Sequence, residues 1–177
     1  MAGNDELRRI ISGCKDGNQE CFAELVDLYG ARLYGYFYRL SGNRAVSEDL
    51  LSELFVKLVG KIKSFKDGRF ESWLFRVAVN VFRDYLRDKQ RQKKLIEGRK
   101  EYLEVENSKT RTRDDEQSDK LQSQLEKLDS ETRQLLVMRY YSQLSFKEIA
   151  AMRSEPIGTT LSKVHRGLKR LRELMEQ

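Results

Sequence analysis

The sequence predicts an all-α protein of two helical lobes, and three observations support that prediction. Apolar residues recur at i, i+3, i+4 and i+7 through most of the chain, the spacing that builds one buried helix face. No stretch alternates apolar and polar residues long enough to form a strand. A single proline, Pro156, leaves the long segments free of helix breakers.

Leu7, Ile10, Ile11 and Cys14 predict a short opening helix, stopped near Asp16-Gly17-Asn18. Phe22, Leu25, Val26, Tyr29, Leu33, Tyr36, Phe37 and Leu40 then hold a helical stripe over five turns, ended by Ser41-Gly42-Asn43. Gly30 and Gly35 inside it each cost about 1 kcal/mol relative to Ala, so a close neighbouring helix is expected at both. Ser47 is the expected N-cap of a third helix, with Glu48 and Asp49 complementing its dipole and Leu50, Leu51, Leu54, Phe55, Leu58, Val59 and Ile62 following. Lys63 to Arg69 breaks the period and reads as an exposed loop. A long helix over about Phe70 to Gln92 carries Phe70, Trp73, Leu74, Val77, Ala78, Val81, Tyr85 and Leu86 on its buried stripe.

Composition changes after that helix. Eight basic and eight acidic residues crowd positions 93–120, and Asn107 to Asp119 holds no apolar residue. Such a segment cannot offset its own ordering entropy, so residues 93–118 are expected to be a flexible linker. It separates a four-helix domain (1–92) from a small helical domain (119–177). In the latter, Leu121, Leu125 and Leu128 precede a helix near Glu131 to Tyr141. Ser145-Phe146-Lys147-Glu148 is then a capping box. Arg153-Ser154-Glu155 forms a turn, and Pro156 opens a last helix at a position where a missing N–H is tolerated. From Ile157 to Arg172 that helix has no acid but carries Lys163, Arg166, Lys169, Arg170 and Arg172. Leu161, Val164, Leu168 and Leu171 form its expected inner face. This is the pattern of a helix-turn-helix with a recognition helix.

Composition also excludes. The net charge of +6 suits an acidic polymer without demanding one. No apolar run approaches the roughly 20 residues of a membrane span, and the start of the chain lacks the pattern of a signal peptide. Cys14 and Cys21 are too few for a disulfide framework and have no metal-ligand cluster beside them. The chain reads as a reduced, cytoplasmic protein with no metal, no cofactor and no small-molecule substrate. Without a phosphate loop, a paired-His motif or a nucleophile elbow, an enzyme is not expected.

Three constellations remain. Arg76, Asn80, Arg83 and Arg87, spaced four, three and four apart, share one face of the long helix, and the loop before it supplies Phe65, Lys66 and Arg69. Guanidinium groups bridge phosphates, and an aromatic among cations suits an unstacked base; a solvated helix face would carry the same charges. Asp49 and Glu53 share a side of the third helix near Leu50, Phe55 and Lys57, either as capping charges or as a protein-docking surface. In the recognition helix, Thr159, Thr160, Ser162, Lys163 and Arg166 occupy the half that reaches base edges. Lys169 and Arg170 are better placed for phosphates.

The order of these parts resembles a known family. Phe22-Ala23-Glu24-Leu25-Val26, Glu48-Asp49-Leu50-Leu51-Ser52-Glu53-Leu54-Phe55 and Phe70 to Asn80 are similar to sigma region 2. Leu144 to Ala150 and Ile157 to Arg166 are similar to sigma region 4. The match is to the extracytoplasmic-function (ECF) sigma factors, which lack region 3. The resemblance implies partners: core RNA polymerase, promoter DNA and an anti-sigma factor. It implies that Asp49, Leu50, Glu53 and Phe55 dock on the polymerase clamp. Phe65, Lys66, Arg69 and Asn80 would capture a flipped base of the minus-ten element, with Arg76 and Arg83 along the strand backbone. The recognition helix would read the minus-thirty-five element.

Overall fold

The computed structural model describes residues 2–66, 68–97 and 116–176, and those residues are helical throughout, with no strand among them. The helices are α1 (Ala2–Lys15), α2 (Gln19–Ser41), α3 (Arg44–Lys61) and α4 (Phe70–Glu97), with a short 3₁₀ turn at Ile62–Ser64. After them come α5 (Glu116–Glu126), α6 (Ser130–Leu136), a π-type turn at Val137–Tyr141, α7 (Phe146–Arg153) and α8 (Ile157–Met175). The linker expected over 93–118 lies mostly outside the described residues. At its two ends, α4 runs five residues past Gln92 and α5 begins at Glu116.

Local chemistry sets the boundaries. Asn18 caps α2, its side-chain oxygen accepting from the Glu20 and Cys21 N–H groups at 2.8 and 3.1 Å. Gly42 ends that helix in the left-handed region, at φ 67°, where a Cβ would be strained. The cap of α3 is Asn43, which accepts from Val46 N–H at 3.0 Å, and not Ser47. Ser47 lies a turn further in and is buried, its hydroxyl donating to the Asn43 carbonyl at 2.6 Å. Asparagine caps as well as serine does, and here it sits one residue ahead of the helix.

One contiguous hydrophobic cluster runs from Ile10 of α1 to Leu174 of α8, so the two lobes meet. The central helix α2 packs on α1, α3 and α4, and also touches α6 and the Val137–Tyr141 turn. Arg133 donates to the Leu40 carbonyl at 3.2 Å and Arg32 to the Tyr141 carbonyl at 3.4 Å, both across the lobes. Gly35 lies under the Tyr141 ring: a Cβ there would sit 2.1 Å from the Tyr141 hydroxyl. The close neighbour expected at Gly35 is thus the other lobe. At Gly30 an added Cβ would meet only Val26 of the same helix, so no neighbour accounts for that glycine.

Candidate nucleic-acid and polymerase interfaces

The loop between α3 and α4 closes one side of a cavity of about 540 Å³, and α1 closes the other. Phe65 is half-buried, edge-on to Phe70 with ring centroids 5.2 Å apart and tilted against Trp73 at 5.5 Å. Lys15 of α1 places its ammonium 5.5 Å from the Phe65 ring centroid. Lys66 and Arg69 line the cavity and are exposed. Asn80, grouped with this loop in the sequence, does not line the cavity; it stands exposed further along α4.

Asn80 shares the α4 row with Arg76 and Arg83, and the other lobe covers part of that row. Arg76 pairs with Glu148 of α7 at 3.1 Å, and Arg83 donates to the Met152 carbonyl at 2.8 Å. Glu148 is also the last residue of the capping box: its carboxylate accepts from Ser145 N–H at 2.8 Å while Ser145 Oγ accepts from Glu148 N–H at 3.2 Å. Burial alone would raise the Glu148 carboxyl. Hydrogen bonds from Ser145, the Arg76 guanidinium and a hydrogen bond from Ser72 outweigh it and hold the group below its ordinary value.

On α3, Asp49 and Glu53 are exposed and Phe55 is half-buried. Glu53 pairs with Lys57 at 2.6 Å, and Lys57 reaches Asp84 of α4 at 3.2 Å, which ties the two helices together. Leu50 is only 2% exposed and belongs to the core. Its place on the surface is taken by Val56, which periodicity passed over and which is 74% exposed, and by Val59, which was expected in the core and is 57% exposed. The signal was present in the sequence, since the apolar residues of α3 are too many for one stripe. Acidic residues thus stand beside exposed valines on this face of α3.

The helix-turn-helix forms as its sequence predicts. Ser154 turns the chain in the left-handed region at φ 54°, and Glu155 N–H donates to the Ala150 carbonyl at 3.1 Å. On α8, Thr159, Ser162, Arg166, Lys169 and Arg170 are exposed. Two expectations are corrected. Thr160 is 0% exposed, its hydroxyl donating to Glu155 at 2.7 Å, so it braces the turn and cannot reach a base edge. Leu161 faces outward, and the buried stripe is Thr160, Val164, Gly167 and Leu174. Gly167 lets α6 cross closely, since a Cβ there would lie 2.6 Å from Thr132. Lys163 turns to the side and bonds to both Glu131 and Glu155 at 2.8 Å. Those two carboxylates raise its basicity, Glu131 first.

A helix-turn-helix lobe joined to a helical lobe with an aromatic, cation-lined loop defines a two-region promoter-recognition protein of the sigma-70 class. Sigma-70 region 2 matches residues 25–92 and sigma-70 region 4 matches residues 118–171. The chain is 32% identical over 178 aligned residues to the ECF RNA polymerase sigma factor SigW of Bacillus subtilis, covering 94% of this chain and 95% of that one. It is 34% identical over 155 residues to SigE of Mycolicibacterium smegmatis, covering 86% of this chain and 60% of SigE. The fold is similar to that of the sigma factor RpoE solved with the anti-sigma factor NepR from Bartonella quintana (TM-score 0.68, 24% identity, 88% of this chain and 96% of that chain). It is also similar to CnrH solved with the cytosolic domain of CnrY (TM-score 0.65, 22% identity, 96% of each chain). The chain belongs to the ECF sigma factors of RNA polymerase, and it directs the core enzyme to specific promoters. No described helix is long and apolar enough to cross a membrane.

Proposed function

We propose a division of labour within that activity. The exposed face of α3, with Asp49, Glu53, Phe55, Val56 and Val59, docks on core RNA polymerase. The Phe65–Arg69 loop and the α4 row of Arg76, Asn80 and Arg83 hold the melted minus-ten strand. Thr159, Ser162 and Arg166 of α8 read the minus-thirty-five duplex, while Lys169 and Arg170 hold its phosphates. Lys163 joins them only by leaving Glu131 and Glu155. The polymerase carries out the chemistry, and this chain contributes binding and strand separation in the cytoplasm.

The observation that carries the reading is the separation of chemistries between lobes: aromatic plus cation on one, hydroxyl plus cation on a helix-turn-helix on the other. It has a geometric consequence. Elements centred near minus ten and minus thirty-five are about 25 base pairs apart, roughly 85 Å at 3.4 Å per base pair. Arg83 now lies 2.8 Å from the Met152 carbonyl, so the lobes must part before both elements are engaged together. An anti-sigma factor, such as the NepR bound to RpoE, would regulate the chain by holding it off the promoter.

Run-off transcription with purified core polymerase tests the division. Replacing Phe65 and Asn80 together with alanine is expected to impair promoter opening more than closed-complex formation, with activity restored on a pre-melted template. Failure of the pre-melted template to restore activity would refute the strand-capture role.

A further inference from the structure

The outer face of α8 carries two large apolar side chains that the proposed readout does not use. Ile157 is 44% exposed and Leu161 43% exposed. They stand four residues apart, which makes them neighbours on one side of the helix, and the exposed His165 continues the row. A single exposed leucine is ordinary on a protein surface. This pair stands at the start of a recognition helix, in the half that reaches base edges. Packing holds Leu161 there. A buried threonine beside an exposed leucine inverts the usual preference, since leucine gains more by leaving water. The rotation of α8 is set at three points. The Thr160 hydroxyl donates to Glu155 at 2.7 Å. Val164 is buried on the same inner stripe. Gly167 brings α6 so near that an added Cβ would lie 2.6 Å from Thr132. Turning Leu161 inward would break all three contacts.

The surroundings of this apolar step identify what it meets. From Ile157 to Arg172 the helix has no acid, and Arg166 and Lys169 are exposed on its outer side. The next acid, Glu173, pairs with Arg170 at 3.6 Å. A cationic face with an apolar patch fits a polyanion that itself presents an apolar group. In the major groove of DNA one base edge does so: thymine, through its C5-methyl group.

We propose that Leu161 is a specificity residue of the upstream duplex contact, packing on the C5-methyl group of one thymine in the minus-thirty-five element. Ser162 and Arg166 hydrogen-bond to polar base edges, and Leu161 makes the apolar contact that they cannot. A cytosine at that position lacks the methyl group, and a purine presents polar edge atoms that a leucine leaves unpaired. The inference rests on the reading that α8 enters the minus-thirty-five groove, and the experiment separates the two.

The test uses the full chain bound to core polymerase and a labelled fragment of a promoter found by run-off transcription. Each thymine of the minus-thirty-five element, on either strand, is replaced in turn by deoxyuridine, which removes the methyl group and leaves base pairing intact. Wild type is expected to show one position at which uracil weakens closed-complex formation about fourfold, the scale of one buried methyl group. Leu161→Ala should bind the thymine fragment as weakly as wild type binds the uracil fragment, with no further loss on uracil. Leu161→Met, which keeps an apolar side chain of similar volume, should keep the preference. If Leu161→Ala retains the thymine preference, whether or not overall binding falls, another side chain such as Thr159 reads the methyl group and the proposal is overturned. If wild type tolerates uracil at every position, no methyl group is read and the proposal is overturned as well. If scrambling the whole minus-thirty-five element leaves wild-type binding unchanged, the duplex reading of α8 itself fails, whatever Leu161 does.

Discussion

The α4 row and the outer face of α8 carry the same kind of charge and differ in what holds that charge in the free chain. Arg76 and Arg83 are tied across the lobes, one to a carboxylate and the other to a main-chain carbonyl of α7. Among the described residues Arg166 donates to the Ser162 carbonyl of its own helix, at 3.4 Å, and to no group of the other lobe. The nearby carboxylates Glu131 and Glu155 are taken up by Lys163 and Arg153 on the inner flank. Among the described residues, one of the two proposed DNA-binding surfaces is therefore conditional on the lobes parting, and Arg166 on the other is not. Counting cations along a helix does not distinguish the two; the partners of each cation do.

The largest expected effect breaks the comparison at its unconditional end. Arg166→Ala should weaken binding of the holoenzyme to a minus-thirty-five duplex by about 1–3 kcal/mol, with association to core polymerase unchanged. Arg76→Ala should leave the duplex affinity as it is. Equal losses from the two changes, read by fluorescence anisotropy on the same duplex, would mean that the surfaces are not separate.

The next effect comes from opening the lobes without touching either DNA surface. Gly35→Ala pushes a methyl group against the Tyr141 hydroxyl, and overpacking of that kind costs about 1–3 kcal/mol. The cost falls on the closed arrangement alone. The radius of gyration in solution scattering should rise, and the free chain should bind single-stranded minus-ten probe several-fold more tightly, with duplex binding through α8 unmoved. Adding Tyr141→Phe removes the clashing hydroxyl and should move both values back toward wild type, short of it because the ring carbon beneath stays 3.0 Å from the added Cβ. If Gly35→Ala changes neither size nor strand affinity, the lobes are already apart in solution.

The helices and their caps were legible because they are local. Ser145 and Glu148 are three residues apart, and Gly42 needs only its own φ, so sequence contains all that these features require. The candidate surfaces were legible in outline for the same reason: charges at helical spacing share a face wherever the helix goes. What long-range packing decides was not legible. Periodicity offers both Thr160 and Leu161 to the inside of α8, and the choice falls to Thr160 because Glu155 is there to take its hydroxyl. Gly35 looks like a helix defect until Tyr141, more than a hundred residues away, is brought over it. The wall that α1 lends to the Phe65 cavity was invisible for the same reason, since Lys15 is fifty residues from the ring it covers.

The smallest effect sharpens the comparison by setting one carboxylate against another. Glu148 and Glu155 both titrate below their ordinary value of 4.5. For Glu155 the cause lies within the lobe, first the Lys163 hydrogen bond, then Thr160 and Arg153. For Glu148 part of the cause is Arg76 from the other lobe. A carboxyl depressed in the folded state binds fewer protons there than in the unfolded chain, so each stabilises the protein above pH 4.5 and loses that contribution as the pH falls through its lower folded value. Arg76→Ala should move the Glu148 titration up toward 4.5 and leave that of Glu155 where it is, read by carboxyl NMR shifts between about pH 6 and pH 3. The shift is small, because Arg76 is half-exposed and solvent screens the pair. If Glu148 did not move at all, Ser145 and Ser72 alone would set its acidity. The cross-lobe ion pair would then be absent in solution, and the α4 row would be as free as the face of α8.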